Sequence, residues 1–591
     1  MNSASREVSE QELLAVAVRA RNRAHAIYSR FPVGAALESE RGEIIPGCNL
    51  ENASLGLGIC AERVALFALL GRGLRPGRRL VIATRAPDPT PPCGACRDVI
   101  AELAPQIEVI SVASNGRQLR WHAGDLLPDA LPVAGRQAYD PRSVIARKRD
   151  GEELGAEEIR ALLGGLLEGQ VADYQMTAFM MATCLRGMTV RETRDLTRTM
   201  LDSGQRLRWD EVPGPKVDKH STGGVGDKVS IPLLPICLAA GLTVPMLSGR
   251  GLGDTGGTLD KLDSIPGYRS RVPIERLREL IREQGGFIAG QTNELVPADR
   301  IMYALRDVSA TIESVPLIVG SILSKKLSAG VTALALDVKL GRGAFMRGRE
   351  QAADLAQNLV SVAHDLGLPA VALLTRMDAP LGAAVGNALE IHESMQLLRG
   401  DPVCPDLLEL TLTFAGLLWA LANPGRPLSE GARHIGELIA SGAAARAAEC
   451  WIEAQGGDPR VVTASDLPAV SSNRRTVESR VDGFVCDIDA RRAGRLCTLL
   501  GGGRLRSEDR IDPSVGIWFH VRPGEAVRRG QPLYTLYLAA GASPEQPYPD
   551  EQAMLTLAEE PPGDRPLIEA MVARSGGEVR VLPFEEADEH L

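Results

Sequence analysis

Two short cysteine clusters constrain this chain more than any other feature: GICAER, Gly58 to Arg63, and PPCGACRD, Pro91 to Asp98. Cys93 and Cys96 have the spacing of a redox dithiol, half of a structural zinc site or half of a catalytic one. The fold must bring the rest of such a site within a few ångströms of them. Ten cysteines in 591 residues are too sparse for a disulfide scaffold. The apolar run LLAVAV, Leu13 to Val18, is short and has its basic residues, Arg19, Arg21 and Arg23, on the wrong side for an export leader. No stretch approaches the roughly 18 apolar residues of a membrane span. The chain is therefore expected to be cytoplasmic, without a membrane partner, and with reduced thiols.

At this length two to four domains are expected. Ser9 and Glu12 form a capping box that opens a helix running to about Ile27. Short strands in FPVGAALES, GEIIPGCNLE, RLVIATRA and QIEVISVAS alternate with helices from about Cys60 and from Gly94 to Leu103. That alternation predicts a compact α/β domain over 1–133. The irregular stretch PDALPVAGRQAYDP suggests a linker at 134–142. Residues 143–475 read as helical segments, including Asp173 to Arg186 and Thr189 to Leu201, followed by a larger α/β region with Gly-rich loops. From 476 to 591 short Gly-rich strand patterns predict a β-rich subdomain. Net charge is −9 with no basic run, so no nucleic-acid partner is expected.

Cys93 and Cys96 gain a third candidate ligand in Cys60, followed two residues later by Glu62. Three thiolates leave a fourth zinc position open for water, and Glu62 supplies an unligated carboxylate. That is the three-cysteine form of the zinc deaminase signature. Cys48 offers an alternative as the fourth thiol of a closed site. A closed site has no use for Glu62, however, and a redox pair has no use for Cys60. Helix N-termini at both clusters, with Arg63, would offset the charge of three thiolates.

Residues from about Ser9 to Leu131 resemble the small cytidine deaminases through FPVGAAL, GCNLENAS, CAER and PCGACR in that order. The resemblance implies a three-layer α/β domain, Zn²⁺ on Cys60, Cys93 and Cys96, and Glu62 as the proton carrier. It places Phe31 in the base pocket and Asn49 and Glu51 on the ribose of a free nucleoside. The chain departs from the pattern at SLGLG, where relatives often carry an aromatic residue, and at LLPDALP, which lacks their usual Phe.

The densest chemistry downstream is VDKHSTGGVGDKVS, Val217 to Ser230, where glycines, Lys and hydroxyls suit an anion. Walker order is absent, so a nucleoside triphosphate is not implied. A second such stretch is SGRGLGDTGGTLDKLD, Ser248 to Asp263, and a third element runs from Tyr303 through Arg306, Ser321 and Lys325. Together they resemble the thymidine and pyrimidine-nucleoside phosphorylases from about Val144 onward. The resemblance implies a helical lobe (143–208 with 297–330) closing on an α/β lobe, with inorganic phosphate as co-substrate. Lys219, Ser221, Ser230, Ser248 and Thr258 map to phosphate, Tyr303, Arg306, Ser321 and Lys325 to the pyrimidine, and His220 to the leaving base. Asp254 stands where many relatives have His, and Asp263 replaces a usual Glu.

The expectation is thus a bifunctional enzyme of small-molecule nucleosides. (Deoxy)cytidine is deaminated, and thymidine or (deoxy)uridine is cleaved by phosphate to free base and a pentose 1-phosphate. Both resembled families imply a homo-oligomer, at least a dimer. Two alternatives keep one activity or change it: the first domain as a zinc-stabilised nucleoside-binding or assembly module, and the second as a phosphoribosyltransferase related to the anthranilate enzyme.

Overall fold

Alternating apolar residues between Gly34 and His122 build one sheet with cores on both faces. Its strand order is Ile44–Cys48, Gly34–Ser39, Pro76–Ala83, Glu108–Val112, Gln118–His122. Pro76–Ala83 and Glu108–Val112 are parallel, and the helix Gly94–Leu103 makes the crossover that a parallel pair requires. Ala35, Leu37, Leu80, Ile82 and Val109 pack with the helices Ala61–Gly71 and Gly94–Leu103. Their neighbours Ala36, Val81, Ile110 and Val112 pack with Leu13 and Ala17 of the helix Glu10–Arg21. The result is three layers, helix on sheet on helix. A Cβ on Gly47 would stand 2.2 Å from the carbonyl oxygen of Ala61, so the start of that helix lies directly on the sheet.

The computed structural model describes residues 8–126, 140–251, 256–464, 470–504, 509–549, 551–563 and 565–590. It divides into two compact units, Met1–Ala138 and Tyr139–Leu591. The linker expected at 134–142 lies outside the described residues up to 139. Asp140 already caps the helix Pro141–Arg149 by accepting from the Arg142 amide. The first helix ends at Arg21 rather than near Ile27, because His25 must turn back to bridge Leu50.

In the second unit the helices Pro141–Arg149, Ala156–Leu167, Asp173–Arg186, Val190–Asp202, Pro297–Val308 and Val315–Ser328 share an apolar core that includes Val144, Ile159, Phe179, Leu196, Met302 and Leu317. The α/β region centres on a sheet ordered Glu578–Leu582, Ile568–Ser575, Ala370–Arg376, Ala333–Leu340, Val217–Ser221. The last three strands are parallel, and Ala333–Leu340 is buried along its whole length, as expected of a strand covered on both faces.

Between 474 and 558, short strands form two small sheets beside the helix Ala490–Cys497, and Ala384–Val385 adds an edge strand to one of them. The β-rich subdomain drawn at 476–591 therefore loses its final part, since 568–582 complete the central sheet. The reading that no stretch approaches a membrane span also needs correction. The helix Pro405–Ala422 has 18 residues and a mean hydropathy of 1.3. Leu407, Leu410, Phe414, Leu417 and Leu418 bury its apolar side in the main core, so here it is a core helix.

Candidate active sites

In the first unit, Cys60 and Cys93 are the N-cap residues of the helices Ala61–Gly71 and Gly94–Leu103. Neither side chain caps its helix, so the first-turn amides and the helix dipole favour negative charge on sulfur. Cys96 follows in the first turn and is buried. The three Sγ atoms lie within 4.8 Å of one another, and this is the single such metal-ligating group among the described residues. Cys60 Sγ and Cys93 Sγ are 3.6 Å apart, close to the roughly 3.8 Å that two thiolates adopt on tetrahedral zinc. The donor set thus fits zinc. Cys48 stands outside the group, its thiol 3.7 Å from the Arg23 carbonyl.

A hydrogen bond from the Cys96 thiol is the main cause that brings the Cys60 pKa down to about 5, with Cys93 and Arg63 adding to it. Arg63 Nη2 reaches Cys60 Sγ at 4.0 Å and the Gly58 carbonyl at 3.3 Å. Burial pushes Glu62 up to about 7, and the charge on Cys60 adds to the rise. A carboxyl tuned to neutrality is suited to taking and returning a proton.

The other residues expected to contact nucleoside occupy one corner. Asn49 is buried and ties the 31–33 backbone, accepting from the Val33 amide at 2.8 Å and donating to the Phe31 carbonyl at 3.0 Å. Glu51 accepts from the amides of Tyr28 (2.8 Å) and Ser29 (3.0 Å) and from the Ser29 hydroxyl. Both therefore also hold the loop that presents the exposed Phe31 ring.

The second unit contains a cavity of about 370 Å³ between its helical and α/β regions. Lys219, His220, Ser221, Ser230, Ser248, Thr258, Tyr303, Arg306, Ser321 and Lys325 all line it. Lys219 to Ser221 arrive at the end of a buried parallel strand, and Ser230 opens the following helix. Between them, Gly223 and Gly226 take φ values of 97° and 75°, which a side chain disfavours.

Lys219 Nζ is buried 3.0 Å from Asp337 and 3.9 Å from Asp227, and 5.2 Å from the centroid of the Phe414 ring. Lys339 shares Asp337 at 2.9 Å. Burial opposes the charge on Asp227, yet Lys219 and Lys339 hold its carboxyl well below the usual range. The Ser221 hydroxyl donates to Asp227 and accepts from the Gly223 amide, fixing the loop's entry.

His220 is kept neutral, first by burial and then by Lys326, Lys325 and Lys219. A neutral imidazole donates a hydrogen bond but brings no extra proton, which narrows the expected role toward the leaving base. Arg306 is buried and donates to the carbonyls of Thr311, Leu317 and Ile312. Of its five N–H groups, two remain. Lys325 donates to Asp299 at 2.9 Å and to Ser321 at 2.6 Å, with its ammonium 5.2 Å from the Tyr303 ring centroid.

Asp299 and Phe345 also line the cavity and were not anticipated. Asp299 was detectable, since 299, 303 and 306 fall on one helix face. Phe345 lies in a Gly-rich loop with no periodicity to mark it. Asp263 pairs with Arg250 at 2.8 Å. Asp254 lies outside the described residues.

A metal-ready thiol trio beside a buried carboxyl, followed by a polar cavity between a helical bundle and an α/β lobe, defines a deaminase-type hydrolase joined to a glycosyl transferase. Residues 7–112 match the model for the cytidine and deoxycytidylate deaminase zinc-binding region. Residues 142–204 and 213–445 match the helical bundle and a/b domains of the glycosyl transferase family, and 484–553 match the pyrimidine nucleoside phosphorylase C-terminal domain. The thymidine phosphorylase of Mesorhizobium japonicum is 45% identical over 406 residues, 68% of this chain and 92% of that one. The pyrimidine-nucleoside phosphorylase of Bacillus subtilis is 40% identical over 394 residues, 67% of this chain and 91% of that one. A crystal structure of cytidine deaminase from Burkholderia pseudomallei covers 21% of this chain and 100% of its own, at 46% identity and a TM-score of 0.21. The chain belongs to the thymidine and pyrimidine-nucleoside phosphorylase family and carries a cytidine deaminase domain ahead of it.

Proposed function

We propose that this bifunctional pyrimidine salvage enzyme converts cytidine or deoxycytidine and water to uridine or deoxyuridine and ammonia. It then cleaves the keto nucleoside, or thymidine, with inorganic phosphate. Cys60, Cys93 and Cys96 would hold zinc, which when bound acidifies a water in its open position. Glu62 carries the proton to N3 of the ring and later to the departing ammonia. In the second site the C1′–N1 bond breaks and a phosphate oxygen bonds to C1′, leaving pentose 1-phosphate and free base. Lys219, Ser221, Ser230, Ser248 and Thr258 hold the dianion. Tyr303 and Ser321 frame the base, and His220 donates a hydrogen bond to it as it leaves.

The observation that carries this reading is the donor character of the pyrimidine end. Arg306 and the remaining proton of Lys325 can only donate, which suits the two carbonyls of uracil or thymine. The 4-amino group of cytosine also donates, so a mismatch of about 10⁴-fold is expected against cytidine. The second site therefore depends on the first for cytidine-derived substrate. A homo-oligomer, at least a dimer, in the cytoplasm completes the reading. Tyr174, Leu185 and Val308, exposed at 77%, 75% and 80% on the helical lobe, support the oligomer.

The test follows deoxycytidine plus phosphate for ammonia, deoxyuridine and uracil, with Glu62→Gln and Lys219→Ala made separately. Glu62→Gln should stop at deoxycytidine and still cleave supplied deoxyuridine, whereas Lys219→Ala should stop at deoxyuridine. Wild-type chain that releases no ammonia would make the first domain a binding module instead.

A further inference from the structure

The proposed phosphorolysis gives Lys219 a role and leaves Lys228, near the end of the Ser221-to-Ser230 loop, without one. Lys228 is buried, outside the described lining of the cavity. Its ammonium donates to the carbonyls of Leu381 at 2.7 Å and Ala384 at 3.1 Å, and to Glu393 Oε2 at 2.9 Å. Three donors meet three acceptors, so the cation is satisfied by oxygens of the 381–384 segment and of one helix. Glu393, on the helix Asn387–Arg399, also accepts from the amides of Ala383 at 2.6 Å and Ala384 at 2.9 Å. Gly382 permits that wrap: its φ is 71°, and an added Cβ would stand 2.6 Å from a Glu393 oxygen. The loop meets the same segment through its backbone. The Leu381 amide donates to the Val225 carbonyl at 3.2 Å, and a Cβ on Gly226 would stand 3.2 Å from the Ala384 carbonyl oxygen. One turn earlier on the helix, Glu390 pairs at 2.7 Å with Lys261, whose ammonium donates to the Asp227 carbonyl at 2.7 Å. Burial opposes the charge on Lys228, yet Glu393 and Glu390 hold it above the usual lysine range.

We propose that Lys228 is a positioning residue that ties the Ser221-to-Ser230 loop to the 381–384 segment, so that the buried carboxylate of Glu393 sets the loop's shape for phosphate. The adjoining residue shows how the tie reaches the cavity. The Asp227 carboxylate accepts from the Ser221 hydroxyl and lies 3.9 Å from Lys219 Nζ. A loop that shifts at 228 therefore shifts the partner of two side chains assigned to the dianion. Lys228 acts through the loop, and the inference rests on that loop holding phosphate.

The test uses the full chain and follows uracil release from deoxyuridine in sodium phosphate, each substrate varied independently. Lys228→Ala should raise KM for phosphate about tenfold, the scale of one hydrogen bond to a charged group, and move KM for deoxyuridine by less than about twofold. Truncation leaves Glu393 a buried, unpaired charge with a space beside it. Ammonium chloride should therefore recover most of the phosphate KM in Lys228→Ala, which a purely structural lesion would not allow. Tetramethylammonium chloride at equal ionic strength is too bulky for the space and should not. The double variant Lys228→Met with Glu393→Gln removes both charges together and so guards against misfolding. It should keep the raised phosphate KM and ignore ammonium. A phosphate KM that stays unchanged in both variants, or rises together with that for deoxyuridine, overturns the tie while leaving phosphorolysis intact. A folded Lys228→Ala that ignores ammonium does the same. A wild-type chain that frees no uracil in the presence of phosphate removes the underlying activity and the tie with it.

Discussion

Glu62 is the residue on which we propose that the first activity turns, since it is a buried carboxyl beside the thiol cluster. Glu62→Gln keeps the shape and removes the proton carrier. Ammonia release from cytidine should fall by about 10²- to 10⁴-fold, with zinc content by atomic absorption unchanged. Arg63→Gln tests whether the guanidinium at 4.0 Å relieves the thiolate charge, and it should lower deaminase activity more than bound zinc. Asp227 offers a pH test. Its folded pKa is depressed, so its stabilisation is present above the unfolded carboxyl value near 4 and is lost as pH falls through the folded value. In thermal scans, the Tm gap between wild type and Asp227→Asn should therefore hold steady from pH 7 to about 4 and narrow only as the pH is taken lower. Single residues of this kind were legible from sequence where type and spacing coincided, as with Cys60, Glu62, Cys93 and Cys96. Asn49 and Glu51 were less so, since a side chain that ties a loop and one that meets a ribose look the same in one dimension. The neutrality of His220 was not legible at all, since it depends first on burial and then on Lys325 and Lys326, brought by a helix more than 100 residues away, with Lys219 beside it.

At the level of elements, the reading succeeded where local periodicity decides. The helix Gly94–Leu103 and the helix Asp173–Arg186 have the expected ends, because each starts at a recognisable boundary and buries one stripe. The first helix was overestimated because AHAIY keeps an apolar pattern after Arg21, and only the pairing of His25 with Leu50 ends it. The loop from Ser221 to Ser230, which we propose holds phosphate, shows how one backbone conformation can carry an activity. A Cβ on Gly226 would stand 2.7 Å from the Leu381 carbonyl oxygen, at a φ of 75°. Gly226→Ala should cost about 2 kcal/mol in denaturant unfolding, and it should raise KM for phosphate through the displaced Ser221-to-Ser230 segment. A variant with unchanged phosphate KM would show that the loop tolerates the shift.

Across the whole molecule, the two sites differ in what sustains them. The first is built of thiols at two helix starts, and the second of lysines, hydroxyls and amides around one cavity. Removing metal with a strong chelator should abolish ammonia release, while uracil release from uridine and phosphate continues at its original rate. Loss of both activities together would contradict that division. Long-range pairing was the least legible feature, since nothing local in 568–582 says that these strands leave their neighbours to join Ala370–Arg376. That return of the chain end has a consequence for how the protein is made. Among the described residues, the first unit draws its strands from positions before 126, and it can fold while translation continues. The central sheet of the second unit receives its last two strands only when residues 568–582 leave the ribosome. A growing chain thus completes its first unit hundreds of residues before its second, and ribosomes stalled before residue 568 would carry the first activity without the second.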